Sequence, residues 1–564
     1  MDFAKQVCIW PNWRLFEFGV LPISPVEKLS YTVLKKILPY VMEKTLKTSA
    51  GSERARSANR SARGVSRLQV SYKLWNHIAV NKLQISESFG RLYFEQMLIF
   101  SKRFNQGGSK SLESHSVNPF DFMVLLAAQK IRKLSLKLAH SSSSGEEWPL
   151  GEEGNDKIDV SSKQHSVLDQ RHQFIFVKEN LRFIADILTS PGEKTLSHAA
   201  IEALDSALLC HIGDKYIPLS ALLPHIGQSC GYNKNTQECD SSKLVKWIDG
   251  KLVSPSTVMS ERKTTLGWSI RINSLEESIS RTARMYTLNT PPYRFKSSKA
   301  SSASEVIAFM QVSRDTIVKV GEPLTNSTIK MIRCSHSFFY LLDAVDCVFV
   351  YKCKDTTLCI GAVSRVLILR ECKNMKIIAP CSRVVVQKCE SMTLHLLTPF
   401  PPVMVHRNQE VVLAPFNTYH PLLEHCLKLA GLSLTDTNCW SSAVDPGSQK
   451  SSAFSLMPPS AFNLFTVPFY VFNTSSGDAN KHAGMSEPEL ITPHLPLVYQ
   501  KNVELVKQRN IQIQKQLQQS GLSSDERLLV SRAVYMKFQS NLQSEGAWRE
   551  LSHLCVNSGD SETL

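Results

Sequence analysis

Apolar residues follow their most regular pattern between residues 326 and 417, where short apolar runs recur at near-constant spacing. The repeats are marked by cysteines 19, 19 and 17 residues apart: Cys334, Cys353, Cys372 and Cys389. The runs are rich in Val, Ile, Leu and Phe and lie too close together to hold helices between them. A fixed period indicates stacked units that bury their apolar faces only against each other. The pattern therefore predicts a parallel β-helix with one coil per repeat.

Alternation within each run divides the side chains into an inward and an outward set. The inward set comprises Leu367, Leu369, Val384 and Val386. The outward set is then Phe349, Ile368 and Val385, one in each coil and about 5 Å apart. An exposed apolar stripe usually marks an interface. The alternative is that helices elsewhere in the chain cover the stripe, and in both cases protein occupies this face.

The cysteines are predicted to be core residues, not metal ligands. Zinc sites usually draw on paired C-x₂₋₄-C units, and the chain contains no Cys-x-x-Cys. A free cysteine in a stacked coil behaves as a small hydrophobe. The one G-x-S-x-G match, residues 227–231, is followed by a polar loop, whereas a nucleophile elbow needs a helix there. We therefore expect no metal, no cofactor and no catalytic residue.

The remaining segments predict an α+β multidomain chain. Helical periodicity with polar interruptions indicates a helical module with loop insertions at residues 69–290. An N-terminal segment (1–47) and a Ser-, Ala- and Arg-rich flexible basic linker (48–68) precede it. The β-helix domain, expected to be right-handed, is placed at 291–435.

The C-terminal part of the chain is predicted to be extended first and helical afterwards. Residues 436–496 form a proline-rich connection, 497–545 a helical hairpin and 546–564 a tail. Ser523 and Glu526 have the spacing of a capping box at the start of the second helix. The hairpin either covers the end of the β-helix or serves as a partner-binding arm.

Composition and charge restrict the partners and the cellular location that the sequence predicts. The chain has 564 residues and a net charge of +15, which favours acidic partners. Its longest apolar run, Phe122–Ala128, is far shorter than the roughly 20 residues that span a bilayer, so we expect no direct membrane insertion. No secretory segment precedes the 14 cysteines. These features predict a cytoplasmic protein with free thiols.

Several segments resemble the C-terminal domain of the tubulin-binding cofactor C family, also called the C-CAP domain. The matching segments are Ile368–Pro380, Ser382–Leu397 and Ala414–Leu432, with Trp440 beyond them. Their internal order supports the resemblance: Leu397-Thr398-Pro399 comes first, then Ala414-Pro415-Phe416-Asn417, then Tyr419-His420-Pro421 before a helix. The resemblance is dense after Pro291 and patchy before it. It implies the same β-helix that the repeat predicts.

The resemblance also raises a possible reaction. Family members resemble GTPase-activating proteins that insert an arginine from the β-helix into a G protein, which contributes about 10³–10⁵ in rate. That arginine lies four residues before the cysteine that closes the coil, and Val385 has this place before Cys389. Valine carries no charge, so the mechanism fails unless another side chain substitutes. Arg383, two residues earlier on the same strand face, is the candidate substitute.

The resemblance thus implies a non-enzymatic cytoskeletal adaptor that acts in centrosome, basal-body and Golgi positioning. Its expected location is the cytoplasm and cytoskeleton, at the centrosome or microtubule-organising centre and the spindle pole. Its expected partners are cytoskeletal or centrosomal proteins, with tubulin and a small G protein as candidates, and no nucleic acid. Two alternatives stay open. One is a GTPase-activating protein that uses Arg383, and the other is an actin-cytoskeleton module like the similar domain of adenylyl-cyclase-associated proteins.

Overall fold

The chain forms two compact units, residues 1–270 with 288–303 and residues 271–287 with 304–564. The structure is a computed structural model that describes residues 7–23, 28–50, 68–101, 112–131, 160–189, 192–212, 215–253, 269–270, 285–289, 306–320, 324, 327–405, 408–434, 437–446, 454–467, 495–519, 521 and 523–544. Most of the predicted basic linker (48–68) and all of the predicted tail (546–564) lie outside these residues.

The first unit is largely helical. Its α-helices are α1 (Tyr31–Ala50), α2 (Tyr72–His77), α3 (Glu87–Phe100), α4 (Pro119–Ala128), α5 (Val160–Leu188), α6 (His198–Leu204), α7 (Leu219–Ile226) and α8 (Ser241–Lys251). Its strands are β1 (Val7–Pro11), β2 (Val70–Ser71), β3 (Ser116–Val117), β4 (Thr195–Leu196), β5 (Leu208–Ile212), β6 (Lys215–Ile217), β7 (Tyr232–Asn233), β8 (Glu238–Asp240) and β9 (Ser269–Ile270). A further strand, β10 (Met285–Asn289), pairs with β9 through Leu288 and Asn289.

Four helices of this unit begin in the same way, directly after a short antiparallel strand pair. Strand β2 pairs with β3, and β4 pairs with β8. The residue before each following helix accepts hydrogen bonds from backbone N–H groups in its first turn; these N-caps are Ser71, Asn118, Ser197 and Asp240. Each such cap stabilises its helix by about 1 kcal/mol. The small strands therefore fix where the helices start.

The predicted parallel β-helix is confirmed in the second unit, and it begins earlier than the cysteine repeat indicates. Its strands are β11 (Val306–Met310), β12 (Thr316–Val320), β13 (Thr328–Ile332), β14 (Phe338–Val345), β15 (Cys347–Tyr351), β16 (Lys354–Arg370), β17 (Lys373–Gln387), β18 (Glu390–Leu397), β19 (Val403–Val405), β20 (Gln409–Pro415) and β22 (Phe454–Leu456), with β21 (Thr418–Tyr419) and β23 (Phe465–Thr466) pairing beside them. The cysteine repeat does not mark the first coil, because Val312 stands at the corner of that coil, where later coils carry cysteine.

The strands stack in register to form two parallel faces. On face A, β11, β13, β15, the second halves of β16 and β17, and β19 follow one another. On face B, β12, β14, the first halves of β16 and β17, β18, β20 and β22 do the same. Leu367, Leu369, Val384 and Val386 face the interior and belong to one continuous apolar core, as predicted. The long strands β16 and β17 thus each pass from face B to face A.

Each coil turns at its cysteine between two residues with left-handed backbone. Around Cys353 these are Lys352 (φ 51°) and Asp355 (φ 49°), and the other coils repeat the arrangement. Left-handed backbone costs an L-residue roughly 1–2 kcal/mol. Hydrogen bonds between coils offset this cost: the N–H of Lys352 donates to the carbonyl of Arg370 at 3.1 Å. The backbone ladder therefore continues around the corner.

The cysteine ladder is confirmed as part of the core. The backbone N–H of Cys334 donates to Sγ of Cys353 at 3.3 Å, and the next coils repeat this contact. At the end of the ladder, the N–H of Cys389 donates to Oδ1 of Asn408 at 2.9 Å. Cysteine is therefore both a small apolar filler and an acceptor for a buried N–H group.

A helix, α9 (Leu423–Ala430), covers the outer side of face B. It ends at Gly431, which has the left-handed backbone (φ 70°) typical of a helix C-cap. Gly361 lets the helix approach closely, because a Cβ there would lie 2.9 Å from Sγ of Cys426. The same Cβ would lie 2.7 Å from the backbone nitrogen of Asp343.

Two long helices follow at the C-terminal side, α10 (Leu497–Gln519) and α11 (Ser524–Ser544). Tyr499 of α10 packs against Trp440 and Phe462 with ring centroids 5.8 and 5.1 Å apart. Its hydroxyl donates to the carbonyl of Met457 at 2.5 Å. The first turns of α10 therefore cover the end of the β-helix. The capping box of Ser523 and Glu526 forms as predicted.

Gly361→Ala is expected to destabilise the second unit by about 1–3 kcal/mol, because backbone atoms of Asp343 cannot move away from the new Cβ. Urea unfolding of the full chain measures the loss. Gly250→Ala is the matched control, because a Cβ at this position in α8 meets nothing within 4 Å. The control is expected to leave stability unchanged or to raise it by about 0.5–1 kcal/mol. Equal stabilities of the two variants would contradict the close packing at Gly361.

Acid is expected to destabilise the second unit through His395 and His420. Burial lowers the pKa of each imidazole to about 4. The unfolded chain therefore takes up protons below about pH 6.5 while the folded chain does not, so stability falls between about pH 6.5 and 4. Each histidine contributes a loss of about 2 kcal/mol by pH 5.

His420→Leu tests this directly, because no hydrogen-bond partner of either His420 ring nitrogen lies within the described residues. The substitution should leave stability at pH 7.5 nearly unchanged and reduce the loss at pH 5, as measured by urea unfolding at both pH values. His425→Leu, at an exposed position of α9, is the control. The account is wrong if His420→Leu and the wild type lose equal stability on acidification.

Candidate binding surface on the β-helix

The outward stripe predicted on face A exists in register, but most of it is buried. Phe349 pairs with Ile368, and Ile368 pairs with Val385. Ile368 is 7% exposed and Val385 1% exposed, whereas Phe349 is half-buried. Of the two alternatives, an exposed interface and a covered stripe, the exposed one does not hold at Ile368 and Val385. Alternation along a strand fixes the direction of a side chain, but it does not show what packs against that side.

Arg383 is not available as a substitute arginine in this structure. Its side chain is completely buried (0% exposed), and its guanidinium carbon lies 5.4 Å from the ring centroid of Phe400. An arginine finger has to project from the surface to reach the phosphoryl group of a bound partner. The stripe position itself is filled by Val385. Neither side chain therefore presents a charge where the resemblance places the arginine.

A buried polar ladder forms the corner at which the chain enters face A. Ser364 Oγ donates to Asp346 at 3.2 Å, and Arg365 pairs with the same carboxylate at 3.4 Å. Ser382 Oγ donates to the carbonyl of Ser364 at 2.8 Å, and Thr398 Oγ1 donates to that of Ser382 at 2.9 Å. Buried polar groups need such partners. This ladder links Asp346 to the following coils and holds the coils together.

Face A is accessible at an aromatic and basic cluster at the ends of β15 and β16. The rings of Phe349 and Tyr351 stack with centroids 6.1 Å apart. Nζ of Lys352 and the guanidinium carbon of Arg370 lie 5.3 and 5.6 Å from the Tyr351 ring. Glu371 contacts both cations, at 3.6 Å from Lys352 and 3.5 Å from Arg370. We call Phe349, Tyr351, Lys352 and Arg370 the face A cluster.

Sequence reasoning identified only one member of this cluster. Phe349 came from the repeat, while Tyr351, Lys352 and Arg370 were not singled out. The signal was present, because Tyr351 and Arg370 each stand two residues before a ladder cysteine. Residues at equal positions in successive coils become neighbours once the register is known, as Tyr351 and Arg370 do. Half-exposed aromatic and basic side chains are typical of protein interfaces.

The described part of the molecule gives little support to a metal site, a membrane-spanning helix or a reactive thiol at Cys359. Within those residues, no group of three or more His, Cys, Asp or Glu side chains is placed to hold a metal ion. The described helices include none that is long and apolar enough to cross a membrane. Burial raises the pKa of the Cys359 thiol to about 12, which keeps this core thiol protonated. The arrangement on face A suits binding through stacking, cation–π contact and charge.

Comparison with known proteins finds one matching family model and several relatives that align with nearly the whole chain. Residues 326–446 match the family model described as tubulin binding cofactor C. TBCC domain-containing protein 1 of Bos taurus and that of Homo sapiens are each 27% identical to this chain over an alignment of 590 residues, gaps included. The alignment covers 98% of this chain and 97% of each relative. The Xenopus tropicalis protein of the same name is 27% identical over 579 residues, with 95% and 96% covered.

The family match includes all four ladder cysteines, Asn408 and the helix α9, so it lies within the second unit and covers most of the β-helix found there. The relatives extend the similarity into the helical first unit and the C-terminal helices. The chain therefore carries a tubulin binding cofactor C domain, and it is similar to TBCC domain-containing protein 1 along nearly its whole length.

Proposed function

We propose that the protein is a non-enzymatic cytoskeletal adaptor that acts at the centrosome, basal body and spindle pole and helps to position the Golgi. The observation that carries the non-enzymatic part is the composition of face A. Val385 stands where the resemblance places an arginine, and Arg383 beside it is fully buried. A surface that offers no accessible charge at this point supports binding and does not support stabilisation of a phosphoryl transition state.

The similarity supports the cytoskeletal part of the proposal. The matched family is named for tubulin binding, and the similar proteins align with this chain over nearly its full length. When a whole chain serves one cellular role, we expect all of its segments to occur in the same order in its relatives. The centrosomal and Golgi roles follow from the resemblance set out above, and they are proposed for a cytoplasmic protein.

The face A cluster is the proposed contact surface. Tyr351 presents an aromatic ring between two cations, Lys352 and Arg370. Tyrosine and arginine are the residue types most enriched in the energetic centres of interfaces. The cations favour an acidic partner such as the carboxylate-rich surface of tubulin. Glu371 contacts both cations in the unbound protein, so a partner carboxylate competes with it.

The double substitution Tyr351→Ala/Arg370→Glu is expected to abolish this contact. Loss of one aromatic and one arginine anchor costs about 2–4 kcal/mol of binding free energy. In cells, a fluorescent fusion of the wild type should concentrate at the centrosome, and the double variant should fall to the cytoplasmic background. With purified tubulin, sedimentation should show a correspondingly weaker association.

Lys428→Glu, an exposed position on α9, is the matched charge-reversal control and should behave as the wild type. Unfolding curves of all variants check that each is folded. A wild-type fusion without centrosomal enrichment would refute the proposed location. A double variant that is still enriched would show that the face A cluster is not the contact surface.

A further inference from the structure

The second part of α10 and the described part of α11 carry large apolar side chains that are exposed to solvent. The docked part of α10 ends at Val503, which packs against the core cluster of the β-helix. Residues 504–513 are all exposed. We call residues 504–544 the C-terminal arm. Eight large apolar side chains among the arm's described residues are between 43% and 69% exposed, and Val530 is partly exposed; the eight are Leu505, Val506, Ile511, Ile513, Leu528, Leu529, Val534 and Met536.

This exposed surface is large enough for a specific interface. The eight side chains offer on the order of 800 Å², about what one partner contributes to a standard protein–protein interface. In proteins, most helices gain their stability from packing of an apolar face and not from helix propensity alone. A binding partner would therefore stabilise the arm as well as cover it.

Within each of the two stretches that carry these apolar residues, the charges are of one sign; the acidic residues Glu504, Asp525 and Glu526 lie outside both stretches. Every ionisable side chain from Leu505 to Lys515 is basic, namely Lys507, Arg509 and Lys515. From Leu528 to Lys537 the same holds for Arg532 and Lys537. All five of these cations are exposed. The arm therefore combines apolar anchors with positive charge and fits a surface that combines apolar residues with carboxylates.

The placement of the apolar residues around the helix distinguishes between kinds of acidic partner. At 100° per residue, Leu505, Val506 and Ile511 are separated by about 100°, 140° and 120° and so lie on three sides of α10. A membrane surface covers one side of a helix. A helical bundle covers several sides. A second copy of the arm is disfavoured because it brings cations against cations.

We propose that the C-terminal arm binds an acidic amphipathic helix of another protein and forms a helical bundle with it. The apolar side chains of the arm pack against the apolar stripe of that helix, and Lys507, Arg509 and Arg532 face its carboxylates. The arm lies apart from the face A cluster on the chain. Failure of one contact therefore leaves the other intact.

The test uses the full-length chain and two synthetic helical peptides labelled with fluorescein. The acidic probe has leucine at the a and d positions and glutamate at the e and g positions of about four heptads, and the basic probe has lysine at e and g. Fluorescence anisotropy should show binding of the acidic probe and at least about tenfold weaker binding of the basic one. Added salt should weaken the acidic complex.

Two variants identify the surface. Lys507→Glu/Arg509→Glu/Arg532→Glu should weaken binding of the acidic probe by at least about tenfold, and Leu505→Ser/Ile511→Ser should weaken it similarly without affecting the fold, because both positions are exposed. The control Lys354→Glu/Lys388→Glu/Lys428→Glu reverses three exposed charges outside the arm and should bind as the wild type does. Circular dichroism checks the helix content of every variant.

Four results would overturn the proposal. They are no binding of the acidic probe at about a hundred micromolar, equal binding of both probes, tighter binding of phosphatidylserine vesicles than of the acidic probe, and a dimer in light scattering that the arm substitutions dissociate. Binding of the acidic probe that only the arm variants lose would establish the arm as the docking element.

Discussion

The second unit depends on one constraint: each coil of the β-helix has to hydrogen-bond its backbone to the next coil, at the corners as well as along the strands. The corners meet this requirement with two left-handed residues around a cysteine, such as Lys352 and Asp355 around Cys353. The N–H of Lys354 donates to the carbonyl of Cys334 at 3.0 Å, and that of Lys373 to the carbonyl of Cys353 at 3.0 Å. Because the ladder is continuous, equal positions in successive coils are brought about 5 Å apart, and this places every side chain on the faces.

The stacking explains both what face A carries and what it lacks. Tyr351 and Arg370 come together because they have equal places in neighbouring coils. The same rule places Val385 beside Ile368, at the point where the resemblance expects an arginine. Both aliphatic side chains are buried, and so is Arg383. Face A therefore presents the half-exposed face A cluster at one end, while the described side chains Ile368, Val385 and Arg383 at its centre are buried.

The sequence predicted the parts of the fold that depend on local periodicity. The cysteine spacing located the coils, and alternation placed Leu367 and Leu369 inside. The predicted domain at 291–435 includes the first coil, but the cysteine repeat does not mark that coil, because Val312 stands where later coils carry cysteine. Asn408, 19 residues after Cys389, continues the same period. Burial of Ile368 and Val385 could not be read from the repeat, because alternation fixes the direction of a side chain but does not show what packs against it. The left-handed backbone at Arg333 and Lys352 could not be predicted from the sequence either, because neither arginine nor lysine favours that conformation.

We propose that this β-helix has the scaffold of an arginine-donating domain and uses it for binding alone. Single-turnover GTP hydrolysis by tubulin and by a small G protein, each measured with and without the full-length protein, tests it most directly. The account predicts the same hydrolysis rate in both conditions while the protein still associates with its partner. An acceleration of about 10³-fold or more, the effect of an inserted arginine, would contradict it.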